Sequence, residues 1–268
     1  MSDTPSLDEQ AAEDTPLMLD RRARIAAMVR QRGSVRVQEL AERFQVSAVT
    51  IRTDLVQLEK DGVLIRDRGG AVACGQGSAL VAFDQRTTLH LEAKQRIGQA
   101  AAALVQPGDT ILMDAGTTVV EMSRHLLQIS PLTVVTNALN VALELRAAPA
   151  ARVLMLGGTL NYATFGTLGP LLDQSLSELA VQKLFLAAES VDVGVGVTDS
   201  TPEIAHAKRA LARAARQVIL LADSSKWGKV GFIKVLPLEQ IQTVVTDSGL
   251  PESARAAIER AGLELIVV

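Results

Sequence analysis

The sequence predicts an α/β protein in two parts: a small N-terminal unit of three helices and a β-ribbon, then a larger α/β unit built on a mainly parallel sheet. Three observations carry that expectation. Between Val37 and Lys60 the apolar spacing describes two short helices joined by a tight turn. Glycines then loosen the chain in Cys74-Gly-Gln-Gly-Ser78. Beyond Leu91, helical stretches alternate with continuous apolar, β-branched runs. With 268 residues, 48% of them hydrophobic, the chain has room for two cores.

The first helix is predicted over Asp20–Arg32, with Ile25, Met28 and Val29 on one face and Gly33 at its end. Val37, Leu40, Ala41 and Phe44 then repeat at helical spacing, and Val46-Ser47 interrupts the pattern. Ser47 is suited to cap the next helix, whose apolar positions are Val49, Ile51, Leu55 and Leu58. Gly62 ends that helix, and Val63–Arg66 with the Gly69-Gly70 pair forms a β-ribbon with a permissive tip, a wing bearing Arg66 and Arg68. The whole is a winged helix-turn-helix, which can place its second helix in the major groove of double-stranded DNA. Outward positions Ser47, Ala48, Thr50, Arg52 and Thr53 suit base edges and phosphates. The same spacing also describes a small packed domain with no DNA role. Charge separates the two: Arg21–Ala73 holds eleven lysines and arginines against six acids, in a chain whose net charge is -3.

Residues 1–18 are expected to be a disordered acidic tail, with Asp3, Asp8, Glu9, Glu13 and Asp14, no base, and two prolines. The winged unit occupies 19–73, a linker 74–90, and the larger domain 91–268. No basic stretch followed by an apolar core opens the chain, and no apolar run is long enough to span a bilayer, so a cytoplasmic protein without membrane contact is expected. The single Cys74 excludes an intramolecular disulfide, and His90, His125 and His206 are scattered without ligand spacing. Neither a metal nor a cofactor is predicted.

Seven apolar runs mark the strands of the larger domain: Thr110–Met113, Leu132–Val135, Arg152–Leu156, Lys183–Ala187, Gln217–Leu221, Thr243–Thr246 and Glu264–Val268. Ligands of open α/β sheets bind outside the carboxyl ends of strands, so the residues after each run matter most. Asp114-Ala-Gly-Thr-Thr118 follows the first run, and Gly116, Thr117 and Thr118 offer close backbone approach, hydroxyls and helix N-terminal amides to an anion. Such a turn is equally a plain helix cap. Three further runs end in Thr136-Asn137, Gly157-Gly158 and Ala222-Asp-Ser-Ser-Lys226. Lys226, and Lys208 in Glu203–Arg209, supply cations for a phosphate, while Asp114 and Asp223 are acceptors suited to sugar hydroxyls. Each lysine alone is more often a solvated surface charge, and the reading rests on their convergence at one sheet edge.

Together these residues resemble the DeoR family of bacterial transcriptional repressors, over nearly the whole chain after the acidic tail. Thr50-Ile-Arg-Thr-Asp-Leu55 and the wing ending Gly69-Gly70-Ala71 look like that family's DNA-binding signature. Asp114–Thr118, Thr136-Asn137, Gly157-Gly158 and Ala222–Lys226 look like its sensor. The resemblance implies a sensor related in fold to ribose-5-phosphate isomerase and glucosamine-6-phosphate deaminase, binding a phosphorylated sugar that weakens operator binding at a carbohydrate-catabolism operon. Gly116, Thr117 and Thr118 would then cradle the phosphate, Asp114 and Asn137 hold the sugar, and Lys208 and Lys226 close over it, while Arg52, Thr50 and Thr53 contact DNA. This chain differs from the usual pattern at Arg68, where a histidine is common, at Ala187–Asp192, and at Ile204, where glutamate is frequent.

A homodimer or higher homo-oligomer is expected, because paired recognition helices meet repeated half-sites. The alternative from another class is a sugar-phosphate isomerase or deaminase with a DNA-binding appendage, for which Glu189 or Asp192 would be the general base. A third is a constitutive DNA binder whose sensor pocket no longer takes a ligand.

Overall fold

A computed structural model of the chain describes residues 18–60, 64–67, 69–73, 83, 86–148 and 150–268. The predicted acidic tail up to residue 17, Gly62, the wing residue Arg68, and nearly all of the predicted linker as far as residue 85 lie outside the described residues. The chain divides into two units, Met1–Gln85 and Arg86–Val268.

The first unit runs α1 (Met18–Arg32), β1 (Ser34–Arg36), α2 (Val37–Phe44), α3 (Ala48–Lys60), β2 (Leu64–Asp67) and β3 (Gly70–Ala73). Strand β1, too short to register as a pattern, pairs antiparallel with β3, so the wing is a three-stranded sheet ordered β1-β3-β2. The helical apolar positions converge: Ile25, Val29, Leu40, Ile51, Leu55 and Leu64 are all sealed from solvent in one core. Each contributes about 2 kcal/mol of transfer free energy. Val49 departs from the expected pattern and is 68% exposed. Two residues along a helix is roughly 200° of rotation, so with Ile51 inward Val49 must face out.

The α1–α3 contact also carries charge. Asp54, 1% exposed, accepts from Arg21 Nε at 2.6 Å and Arg22 Nε at 2.8 Å. Removing one partner from such a buried pair costs far more than the pair itself gains, because the other charge stays desolvated. Asp54→Asn is expected to destabilise this unit by about 3 kcal/mol. Hydrogen exchange of the α1 and α3 amides in the full chain reads that loss directly, and unchanged protection would contradict it.

The second unit is wound around a sheet. In chain order it comprises α4 (Leu91–Ala102), β4 (Thr110–Met113), α5 (Thr117–Ser123), β5 (Leu132–Thr136), α6 (Leu139–Glu144), β6 (Ala151–Met155), β7 (Thr159–Asn161), β8 (Gly166–Leu168), α7 (Pro170–Ser177) and β9 (Val181–Ala187). There follow β10 (Ser190–Asp192), β11 (Gly196–Asp199), α8 (Pro202–Ala214), β12 (Ala215–Leu221), β13 (Ile233–Leu236), β14 (Thr243–Thr246), α9 (Glu252–Arg260) and β15 (Glu264–Val267). Seven strands form one sheet ordered β15-β14-β12-β9-β4-β5-β6, every pair parallel. All seven predicted apolar runs lie in it.

Both faces of that sheet are covered. Ile111, Met113, Phe185, Ile219 and Val245 pack in one cluster with α4, α5 and α6 residues; the alternating Leu112, Leu184, Leu186, Leu220 and Val244 pack in a second with α7, α8 and α9. The unforeseen additions are the β7–β8 hairpin and a small antiparallel sheet ordered β10-β11-β13. Strand order reverses at β4: the chain steps outward to β5 and β6, then returns to β9 on the other side. A switch point of this kind opens a crevice at the carboxyl ends of β4 and β9. Among the described residues no helix is long and apolar enough to cross a membrane.

Candidate functional site

In the first unit, the face that could meet DNA is the start of α3. Ser47 is exposed and caps the helix, its Oγ accepting from the Thr50 amide at 3.1 Å and lying 2.9 Å from Thr50 Oγ1. Thr53 is exposed, and its hydroxyl donates to Val49 O at 3.1 Å, which leaves its oxygen as an acceptor. Ala48 is half-buried. Arg52 is exposed and has no ion pair among the described residues, as do Arg36 and Arg43. Arg66 stands apart from these, because its Nε donates to Glu59 Oε2 at 2.7 Å and its amide to Glu59 Oε1 at 2.9 Å. Those bonds hold the Glu59 carboxyl below the usual range and offset the arginine's charge. Val49, assigned to the core from spacing, instead adds an apolar group beside Ala48 and Arg52, of the kind that contacts a thymine methyl.

In the second unit, the crevice at the switch point gathers most of the predicted sensor residues. Asp114 follows β4, and its Oδ2 accepts from the Ala187 amide at the end of β9 at 3.1 Å. Gly116 lies across the same gap, where a Cβ would come 2.4 Å from the Ala187 Cβ. Only glycine allows that approach. Lys208, 5% exposed on α8, donates to Ala187 O at 2.8 Å and lies 2.9 Å from Asp199 Oδ2 and 3.7 Å from Asp114 Oδ2. Burial drives the Asp114 carboxyl up, Lys208 only partly opposing it, to about 6. Burial also works to raise Asp199, but the nearer Lys208 outweighs it and the net shift is downward. Lys208 is therefore already committed to protein partners.

Asn137, 2% exposed, donates from Nδ2 to Thr167 O at 3.2 Å, while its buried Oδ1 has no partner. It lines a cavity of about 10 Å³ with Asp114, Ala115, Thr164, Leu168, Ile204, Ala207 and Lys208. That is room for roughly one water molecule. Thr117 and Thr118 form the first turn of α5, Thr118 buried. Gly157 and Gly158 do not join them: both are exposed beyond β6, and Gly158, at φ +137, lets the β7–β8 hairpin return against Leu168 O.

Beside this crevice lies a group of cations that sequence patterns had not brought together. Burial lowers the pKa of Lys94, and Lys226 and Arg86 push it further down while Asp223 opposes them. Burial likewise lowers Lys226, with Asp223 opposing and Arg86 and Lys229 adding to the fall. Arg86 is lowered by burial and supported by Glu189 and Asp199. The Lys94 ammonium donates to Leu89 O at 2.6 Å and to Arg86 O, and Arg86 Nη2 donates to Ala163 O. Among the described residues no carboxylate stands within 4.0 Å of the Lys94 or Lys226 ammonium. Asp223 accepts from the Ser225 amide at 3.0 Å through Oδ1, and its buried Oδ2 has no partner.

Two signals could have found these residues. Lys94 sits on the buried side of α4 in register with Ile97, Gly98 and Ala101, and an ionisable group on an apolar helix face calls for an explanation. Arg86 fell within the stretch read as linker. The carboxylates considered as bases are otherwise engaged: Asp192 Oδ1 accepts from the Gly194 and Val195 amides and closes the β10–β11 turn, and Glu189 Oε2 accepts from the Ser200 amide at 2.9 Å. A larger groove of about 680 Å³, lined by Leu160, Pro170, Asp173, Pro202 and His206 among others, holds none of these cations.

Residues 21–76 match the DeoR-like helix-turn-helix domain and residues 89–248 the DeoR C terminal sensor domain. The chain is 36% identical to the HTH-type transcriptional regulator YulB of Bacillus subtilis, covering 94% of this chain and 97% of that one. It is 32% identical to the HTH-type transcriptional repressor GlcR of the same organism, covering 92% and 95%. Among solved structures, ribose 5-phosphate isomerase A of Methanocaldococcus jannaschii aligns at 14% identity over 51% of this chain and 54% of that one, with a TM-score of 0.38. The family therefore rests on sequence, and its relatives are regulators, not enzymes. The chain belongs to the DeoR family of DNA-binding transcriptional repressors, with an N-terminal helix-turn-helix and a C-terminal sugar-sensing domain.

Proposed function

We propose that the sensor binds a phosphorylated sugar at the switch point and that binding releases the protein from the operator of a carbohydrate-catabolism operon in the cytoplasm. One observation carries this reading: the Lys94 ammonium donates to the Arg86 carbonyl, and Arg86, Lys94 and Lys226 are desolvated beside Asp223, whose buried Oδ2 has no partner among the described residues. A dianionic phosphate relieves the repulsion among the cations, and sugar hydroxyls satisfy Asp223 Oδ2 and Asn137 Oδ1. Gly116, Thr117 and Thr118 lie at the same sheet edge and supply backbone and hydroxyl donors. Asp114 and Lys208 brace the floor, and Gly157 and Gly158 act through the hairpin they shape.

At the other end, Arg52, Val49, Ala48, Thr50 and Thr53 read the operator, with Ser47 fixing the start of the helix. Arg66 contributes less than its charge suggests. Repression by paired half-sites calls for a homodimer or larger assembly.

Two measurements test this. In a thermal-shift panel of sugar phosphates, free sugars and inorganic phosphate, at least one sugar phosphate raises the melting temperature. Arg86→Ala or Lys226→Ala each weakens its binding by about 2 kcal/mol, roughly thirtyfold. Stabilisation by free sugars alone, or by none of the panel, counts against the reading. Arg52→Ala weakens operator binding by about 1–3 kcal/mol and leaves the effector response intact; simultaneous loss of both would contradict the division of roles.

A further inference from the structure

We propose that β6, the outer strand of the sensor sheet, is the interface through which two copies of this chain associate, by antiparallel pairing about a twofold axis at Leu154. Strand β6 ends the order β15-β14-β12-β9-β4-β5-β6 and, among the described residues, pairs only with β5. The Leu156 amide donates to Thr136 O across that pairing. Strand alternation therefore turns the amides and carbonyls of Val153 and Met155 away from the sheet. Those groups are a template with which a second antiparallel strand can pair.

The side chains around them are apolar. Leu154 is 42% exposed and Met155 37%. Leu143, 53% exposed, comes from α6 on one face of the sheet; Leu171, 61% exposed, comes from α7 on the other and packs beside Gly157. Ala151-Arg-Val-Leu-Met155 has no lysine, no proline and no register shift against β5, and Arg152 is its one charged side chain.

A second copy fits this edge in its own image. With the axis at Leu154, Val153 of each copy exchanges hydrogen bonds with Met155 of the other, satisfying the outward groups of both. Leu154 meets its counterpart in the close, non-hydrogen-bonded position, with Cα atoms about 4.5 Å apart. Arg152 falls opposite Leu156, so no like charges face one another. A twofold pair is also what an operator with repeated half-sites requires. The inference stands independently of the identity of the effector.

Sedimentation of the full chain tests it. The wild type is expected to be dimeric at micromolar concentration, and Leu154→Arg, which sets two guanidinium groups against each other, raises the dimer dissociation constant at least tenfold with the circular dichroism unchanged. In a Cys74→Ala background, Leu154→Cys forms a disulfide-linked dimer under oxidised glutathione, since the expected Cα separation lies within disulfide range. Arg152→Cys in that background does not. A monomeric wild type, a dimer indifferent to Leu154→Arg, or equal cross-linking at both positions would overturn the proposal.

Discussion

One buried ammonium holds the working edge of the sensor together. Lys208 reaches from α8 to the carbonyl of Ala187 at the end of β9, to Asp199 at the end of β11, and towards Asp114 after β4. A lone charge so deeply buried would be far too costly to keep, and its persistence depends on those three oxygens being present together. The reverse also holds, since Asp114 and Asp199 would repel each other without it. Strand ends, hairpin sheet and helix are thus fixed by one charge balance, with two carboxylates sharing one cation. Burial raises Asp114 to about 6, with Lys208 at 3.7 Å only partly opposing it, whereas the nearer Lys208 outweighs burial at Asp199 and holds it below the usual range.

That balance separates the lysines by role. Lys208 looked in the sequence like a partner for phosphate, but its donors are used inside the protein. Lys94 and Lys226 are desolvated, and Arg86 adds to their mutual repulsion. Lys208 has a carboxylate oxygen at 2.9 Å, whereas among the described residues no carboxylate stands within 4.0 Å of the Lys94 or Lys226 ammonium. An anionic ligand gains most where charge is desolvated and uncompensated. The same distinction applies in the first unit. Of the bases counted there, Arg21 and Arg22 are spent on Asp54, Arg32 on Glu39 and Arg66 on Glu59. The local excess of positive charge pointed to the right unit but overstated how much of it phosphates can reach.

Periodicity made the framework legible. Seven strands read as seven apolar runs because a parallel sheet buried on both faces leaves no polar alternation to confuse them. The α1 and α2 faces, with Ile51, Leu55 and Leu58 of α3, were equally plain. What stayed hidden was short or long-range. Strand β1 and the hairpin β7–β8 have three residues per strand, fewer than any pattern needs. Val49 was misplaced because apolar character alone does not say which way a residue faces in the first turn of a helix. Arg86 and Lys94 were missed because their meaning depends on Asp223 and Lys226, more than a hundred residues away. Asp114 and Asn137 were singled out because they directly follow apolar runs, and the strand-end rule needs only that local pattern.

The position of Arg86 links these observations. It is the first residue of the second unit, immediately after Gln85, and its backbone carbonyl accepts a hydrogen bond from Lys94 while its guanidinium donates to Ala163 ahead of β8. On the proposed reading, a phosphate drawn between Arg86, Lys94 and Lys226 acts on the point where the chain leaves the sensor. Affinity for the ligand differs between two states only if some contact differs between them. The repulsion among these cations is such a contact, because it is present without the anion and removed by it. On that reading the ligand is reported where the chain enters the sensor, through a group of cations whose mutual repulsion is present in one state and relieved in the other.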